Sequence, residues 1–336
     1  MTKRPNPNPE FDLFIPLMGD LPLKDQRETM ERPFFSLQKR KRVKPIEYQS
    51  PDGETWVKIE AIPAYGMATI WDADVLIWAA SHIVEARDAG LRTSRLMSAT
   101  PFEMLTFMQR GTTGADYSRL KAALDRLQST SVATSVRGKP GGRLHRFSWI
   151  NEWVERSDEN GRACGIELIL PDWFYRLILD RKLILTIDSG YFDLTGGLER
   201  WLYRVVRKHG GRQIDGWQFG FHHLYERSGI LAPYKWFAAE LRAIVRRQPL
   251  PGYWLRIETV RRGRPELRFQ PHSAKAVDSI VRSLTHRLVR SLAGPSCDRL
   301  PVSPNSDDLS VTYAALNLES NDSLNGSRRR GTGKRS

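Results

Sequence analysis

The sequence contains few residue groups whose types and spacing could support catalysis. The most suggestive is the pair His222–His223 followed by Tyr225, because a rolling-circle nicking enzyme places two histidines on one metal ion and uses a tyrosine as nucleophile. Such enzymes separate the two histidines by one residue on a strand, so that both side chains point to one face. Here the histidines are adjacent and fall in a predicted short helix. We therefore interpret them as ordinary helix residues.

Other catalytic patterns point the same way. The sequence has no G-x-x-x-x-G-K-[ST] loop to hold nucleotide phosphates, and its glycine-rich stretch at Gly138–Gly142 is better explained as a turn. Asp72 and Asp74 fall at a predicted helix start, where acidic side chains favour the helix dipole. None of the seven histidines pairs at the spacing of metal ligands. We therefore predict a protein that is not an enzyme and that uses no metal or cofactor.

The composition predicts a nucleic-acid partner. Over 336 residues the formal net charge is +14, which indicates a polyanion, either nucleic acid or an anionic membrane surface. No apolar run is long enough to span a bilayer, and the N-terminus lacks the apolar core of a secretory signal. The two cysteines, Cys164 and Cys297, lie far apart, which favours a reducing compartment. We expect a cytoplasmic protein that does not associate with membranes.

Hydrophobic periodicity predicts the same order of elements twice. In the first half, helices over about 71–88, 101–111 and 115–128 precede a hairpin of residues 131–137 and 143–150. In the second half, helices over about 195–209, 221–227 and 233–247 precede a hairpin of residues 253–260 and 266–270. Three helices followed by a hairpin indicate a winged helix. We therefore predict an α+β fold with two winged-helix domains joined by a short mixed bridging segment.

The predicted domain boundaries follow these elements. They are an extended N-terminal arm at 1–31, a first winged-helix domain at 32–162, a bridging segment at 163–188, a second winged-helix domain at 189–272, a C-terminal helix at 273–293 and a disordered, basic-ended tail at 294–336. The tail is rich in Ser, Asn and Asp, so it has too little apolar surface to fold by itself.

The third helix of each domain is the candidate reading helix, since in a helix-turn-helix it enters the major groove. In helix 233–247 the apolar side chains of Phe237, Leu241, Ile244 and Val245 share one face. The opposite face carries Lys235, Ala239, Arg242 and Arg246. The tip of the following hairpin, the wing, adds Arg261, Arg262 and Arg264 for contacts with phosphates.

Helix 115–128 has a less basic but small and polar outer face. Its candidate DNA-contacting residues are Ser118, Arg119, Lys121, Ala122 and Asp125, and those of the following wing are Arg137, Lys139, Arg143 and Arg146. For one helix alone, a polar face is more often simple solvated surface. The same pattern occurring twice beside a basic hairpin favours DNA contact.

Four stretches of the sequence carry a family resemblance: PFFSLQKRKR (33–42), TPFEMLTFMQRGT (100–112), YSRLKAALDRLQSTSVATSVR (117–137) and YFDLTGGLERWLYRVVRKHG (191–210). They resemble the replication initiator protein A family of plasmid-encoded bacterial initiators. The resemblance implies a protein that binds double-stranded DNA at a plasmid origin and helps to melt it. It also implies that the helix holding Tyr117, Ser118, Arg119 and Lys121 is the first DNA-reading helix and that the helix holding Lys235 and Arg242 is the second. It further implies recruitment of the host replication initiator and the replicative helicase machinery.

Three other functions stay open at this point. A protein with paired winged helices could be a transcriptional regulator or a partition protein, and the bridging segment 163–188 is a candidate surface for a homodimer. A nicking enzyme centred on Tyr225 is the third alternative. The sequence leaves open the origin sequence, the number of binding sites and the balance between monomer and dimer.

Overall fold

The computed structural model describes residues 12–16, 19, 21–137, 145–160, 163–211, 213, 215–260 and 263–272. All of them belong to one compact unit. The N-terminal half contains β1 (Lys24–Gln26), β2 (Ile46–Gln49), β3 (Trp56–Ala61), α1 (Ala73–Asp88), β4 (Leu96–Ala99), α2 (Pro101–Phe107), α3 (Gly114–Ser129), β5 (Thr130–Thr134), β6 (His145–Ser148), β7 (Glu152–Ser157) and β8 (Ala163–Ile169). The C-terminal half contains α4 (Asp172–Leu179), β9 (Ile184–Thr186), α5 (Gly197–Gly210), β10 (Trp217–Gly220), α6 (Phe221–Ser228), α7 (Tyr234–Arg247), β11 (Tyr253–Val260) and β12 (Arg264–Pro271).

Local sequence signals explain where several elements begin and end. At the start of α2, the Thr100 side chain accepts a hydrogen bond from the Glu103 amide, and the Glu103 carboxylate accepts one from the Thr100 amide. This reciprocal capping satisfies two amides that the helix itself leaves unpaired. Gly90 follows α1 with a φ of 74°, a conformation that favours glycine and stops the helix.

Two modules of the chain have the same topology. The first module consists of α1, β4, α2, α3, β7 and β8, and the second consists of α5, β10, α6, α7, β11 and β12. The sheet order is β4-β8-β7 in the first and β10-β12-β11 in the second. In both, the last strand lies between the other two and pairs antiparallel with each. The mixed α+β class is therefore confirmed, and the six helices predicted for the two domains are present.

The first hairpin is not arranged as the sequence suggests. The hairpin β5–β6 forms, but it belongs to a separate four-stranded sheet of order β2-β3-β5-β6. The hairpin that completes the first module is β7–β8, and the boundary predicted between residues 162 and 163 falls inside it. Residues 151–162 are polar and show no periodicity in the sequence, yet Glu152–Ser157 form a strand. Strand β7 lies at the edge of its sheet with four of its six residues exposed, so it needs few apolar side chains and leaves a weak pattern.

The N-terminal segment takes part in the packing of this unit. Strand β1, inside the region predicted as an arm, pairs antiparallel with β9. Phe14 forms an isolated bridge with Met97 of β4, and Leu23 and Met30 are buried. The predicted C-terminal helix at 273–293 and the tail at 294–336 lie outside the described residues.

Helices α1 and α5 lie at the centre of the unit and bury charged side chains. Asp74 of α1 is fully buried and accepts two hydrogen bonds from Arg200 of α5, at 2.8 and 2.9 Å. Arg204 of α5 donates to Asp25 of β1 at 2.6 Å. A buried charge is tolerated only with a partner of opposite charge and further hydrogen bonds. These ion pairs therefore join α5 to α1 and to the N-terminal segment.

Candidate nucleic-acid interface

Helix α7 presents the predicted polar face to solvent. Phe237, Leu241 and Ile244 are buried in the core, and Val245 is partly buried against it. The opposite face is formed by Lys235, Ala239, Arg242 and Arg246, all of which are exposed. The apolar periodicity of this segment thus predicted correctly which side of the helix faces the core.

The cations on this face keep their charge available for a ligand. Arg242 donates to the carbonyl of Ala238 at 3.2 Å, and its guanidinium lies 5.3 Å from the centre of the Phe221 ring. Among the described residues, no carboxylate lies within ion-pair distance of Lys235, Arg242 or Arg246. Arg247, at the end of the helix, differs because it pairs with Glu199 at 2.6 Å and with Glu240 at 3.2 Å. The uncompensated charge is therefore concentrated on the predicted face.

Trp236 is a residue of this surface that the sequence analysis did not select. It lies in the first turn of α7 and is 67% exposed, more than any other large hydrophobic side chain in the described ranges. At 100° per residue it flanks the exposed Ala239 on the side away from Arg242. A tryptophan placed off the apolar face was the signal that could have identified it, since burying this side chain would normally be favourable.

The hairpin that follows α7 is partly described. Arg264 begins β12, pairs in register with Val260 and is exposed, and Gly263 has a φ of 70°. Arg261 and Arg262 lie outside the described residues. Farther along the hairpin, Arg256 forms an ion pair with Glu258. Arg264 is thus the described cation nearest to the tip.

Helix α3 also buries its predicted apolar face, but its cations are paired. Ser118, Arg119 and Ala122 are exposed, whereas Tyr117, Lys121 and Asp125 are half-buried. Arg119 pairs with Asp116 at 2.7 Å, and Lys121 pairs with Glu155 of β7 at 2.7 Å. On a helical projection Arg119 and Lys121 lie on opposite flanks of the Ser118–Ala122 face. The structure therefore does not bring these two cations together.

The first predicted wing is likewise engaged in ion pairs. Arg137 pairs with Glu28 at 3.0 Å, and Arg146 of β6 pairs with Glu60 at 3.2 Å. Lys139 and Arg143 lie outside the described residues. Because β6 pairs with β5, Arg146 belongs to the four-stranded sheet and not to the sheet of the first module.

The hairpin β7–β8 of the first module is acidic. Its strands and turn carry five carboxylates and two arginines: Glu152, Glu155, Asp158, Glu159, Glu167, Arg156 and Arg162. Arg156 pairs with Glu167 at 3.1 Å, and Arg162 lies outside the described residues. Carboxylates repel DNA phosphates. This hairpin is therefore unsuited to the phosphate contacts expected of a wing.

In α6 the histidine pair and Tyr225 make packing contacts and a hydrogen bond with neighbouring residues. The His222 ring stacks on Tyr234 of α7 with centroids 3.9 Å apart, and the Tyr225 hydroxyl donates to the carbonyl of Ala232 at 3.0 Å. His223 stacks on Phe219 at 5.1 Å, and burial lowers its pKa.

Across the described residues, no three His, Cys, Asp or Glu side chains are grouped so that they could hold a metal ion. In those same residues, no helix is both long enough and apolar enough to cross a bilayer.

Comparison with known proteins identifies first the fold and then the family. The fold is similar to that of domains 2 and 3 of RctB, with a TM-score of 0.53 and 13% identity over 71% of this chain and 95% of that structure. The model of the family described as Replication initiator protein A matches residues 24–255. A protein of Wigglesworthia glossinidia brevipalpis, named as a replication protein, is 31% identical over 233 residues, which cover 68% of this chain and 82% of the relative. The chain belongs to the Replication initiator protein A family.

Proposed function

We propose that this protein initiates plasmid replication by binding double-stranded origin DNA with two winged-helix modules. The family assigns the chain to replication initiation. The proposal adds how the chain contacts DNA, and it includes melting of the origin and recruitment of the host initiator and replicative helicase machinery.

The topology of the modules supports the winged-helix assignment. In each, a helix, a strand and two further helices are followed by a β-hairpin, and the last strand lies at the centre of the sheet. This order leaves the third helix on the surface of the module, where it could enter a major groove about 12 Å wide. Helices α3 and α7 occupy that position in the first and second modules.

The observation that carries the proposal is the outer face of α7. Lys235, Arg242 and Arg246 are exposed, and no described carboxylate pairs with them, while Ala239 between them leaves room for close approach. Arginine pairs with the guanine edge through two parallel hydrogen bonds, the commonest specific contact in DNA recognition. A surface helix with only a solvating role would more often carry acidic partners at i±4 positions.

A binding titration with three variants tests this function. Arg242→Ala should weaken binding to the plasmid's own origin duplex by about 1–3 kcal/mol and affect an unrelated duplex much less, because a base contact carries sequence information. Arg264→Ala should weaken both duplexes equally, because a wing contacts the backbone. Arg247→Ala is the matched control, since this arginine lies on the same helix but is already paired with two glutamates.

Two results would contradict the proposal. If the unmodified chain failed to bind duplex DNA, the assignment of the modules would be wrong. If Arg242→Ala reduced binding to both duplexes by the same factor, α7 would contact only phosphates and would not read the sequence.

A further inference from the structure

A basic cleft runs along one flank of α3. It has a volume of about 510 Å³, and six cations line it: Lys39, Arg40, Lys41, Arg110, Arg119 and Arg126. Asp72 is the one carboxylate among its described lining residues. Three of the cations come from the loop between Leu37 and β2, which no part of the predicted interface included.

Half of the positive charge in the cleft has no carboxylate partner. Lys41 donates to the carbonyl of Ala64 at 2.6 Å, and the Lys39 ammonium lies 5.3 Å from the centre of the Trp71 ring, but neither contact neutralises the charge. Asp72 accepts two hydrogen bonds from Arg126, at 2.8 and 2.7 Å, and Arg110 pairs with the buried Asp74 at 2.7 Å. Arg119, whose side chain is exposed, pairs with Asp116. In the described part of the chain, no carboxylate lies within ion-pair distance of Lys39, Arg40 or Lys41. These three exposed residues therefore leave the cleft strongly positive.

The segment that carries the three cations is held in place by backbone contacts. The neighbouring Arg42 is buried and donates to the carbonyls of Lys44, Pro45 and Gly229, at 2.9, 3.1 and 2.6 Å. The amide of Met67 donates to the carbonyl of Arg42 at 2.8 Å. Because the backbone is already ordered, binding an anion here would cost little conformational entropy.

The cleft lies beside the outer face of α3. Arg119 and Arg126 project from the flank of α3 that lines the cleft, and Ser118 and Ala122 occupy the adjacent exposed face. The other flank carries Lys121, which is paired with Glu155 of the acidic hairpin β7–β8. A helix lying in a major groove has a phosphate backbone along each flank, and only the flank on the cleft side attracts phosphate.

We propose that this cleft binds the phosphate backbone of the duplex whose major groove receives α3, with Lys39, Arg40 and Lys41 as the contacting residues. In the first module these residues take the part that a basic wing takes in the second. This inference rests on the proposed function, because it assigns the backbone contacts of a duplex already bound by α3.

A triple variant of the full chain tests the cleft. In Lys39→Ala/Arg40→Ala/Lys41→Ala, the plot of log affinity against log salt should lose up to about 2.7 from its slope, at about 0.9 for each phosphate contact. Affinity for origin and unrelated duplexes should fall alike, by up to about 500-fold at 0.1 M salt relative to 1 M salt, which is that slope over one decade of salt. The matched control is Arg156→Ala/Arg176→Ala/Arg181→Ala, which removes three exposed cations outside the cleft. Equal thermal melting of both variants and the unmodified chain checks that all are folded.

The possible results distinguish an error in the cleft assignment from an error in the proposed function. They also distinguish a duplex ligand from a single-stranded one. Failure of the unmodified chain to bind any duplex would refute the proposed function. If that chain binds duplex DNA but the two triple variants behave alike, the cleft assignment is wrong, since net charge alone would explain the loss. A second titration measures binding of the same variants to oligothymidine, a single-stranded ligand. Loss of oligothymidine binding with unchanged duplex binding would overturn the duplex assignment in favour of a single strand.

Discussion

The buried pair between Asp74 and Arg200 allows a quantitative test of how the two modules are joined. Asp74→Asn keeps the shape of the side chain but removes the charge that faces Arg200, whose side chain is 5% exposed. Leaving a buried charge unpaired costs about 3–5 kcal/mol. Arg200 keeps its hydrogen bonds to the carbonyls of Leu194 and Phe192, at 2.7 and 2.9 Å. Arg110, which also pairs with Asp74, is 26% exposed and can be hydrated when that partner loses its charge. We therefore expect a loss near the lower value, about 3 kcal/mol. In a folded unit of about 150–250 residues each kcal/mol shifts the melting temperature by about 2–4 °C, which predicts a drop of about 6–12 °C.

Differential scanning calorimetry at neutral pH measures this drop. The control is Asp172→Asn, which breaks the exposed i,i+4 pair with Arg176 and should cost about 0–1 kcal/mol. The double variant Asp74→Leu/Arg200→Met should recover part of the stability, because it removes both buried charges together. If Asp74→Asn melted within 2 °C of the control, by the same conversion, the pair would not stabilise the contact between α1 and α5, and the reasoning would be refuted.

Two further predictions concern acid stability and DNA opening. Burial lowers the pKa of His82 to about 4, despite the opposing charge of Glu103. His82 in the unfolded chain therefore binds a proton more readily than in the folded chain. The contribution of neutral His82 to the free energy of unfolding should be fully present above about pH 6.5 and should fall by up to about 3 kcal/mol on acidification to pH 4. In urea titrations across this range His82→Phe should flatten that part of the profile, whereas the exposed-residue variant His222→Asn should not. Supercoiled origin DNA incubated with the protein and magnesium should stay covalently closed while permanganate detects unpaired bases near an A·T-rich segment. Nicked circles carrying covalently attached protein would contradict this prediction and support a nicking enzyme with Tyr225 as its nucleophile.

Periodicity predicted the helices well because each buries a continuous apolar face. The core sides of α3 and α7, including Leu124 and Leu241, follow directly from 3.6-residue spacing. Helix α5 shows the limit of this reasoning. The spacing of its apolar residues, among them Leu198 and Leu202, indicates one inward face, but Arg200 and Arg204 are buried as well. Their partners, Asp74 and Asp25, lie more than a hundred residues earlier in the chain, and no local pattern reveals such a distant pairing.

The candidate interface also combines features that follow from the sequence with features that only the tertiary structure decides. The sequence by itself determined the outer face of α7 and the abundance of cations, because helical spacing and residue type are local properties. Only the tertiary structure decided which cations remain available. It paired Arg119, Lys121, Arg137 and Arg146 with carboxylates and completed the first module with an acidic hairpin. It left Lys39, Arg40 and Lys41 beside α3 with no carboxylate partner among the described residues. The physical reason is that an ion pair depends on distances of a few ångströms between side chains, and the fold brings together residues that are remote in sequence.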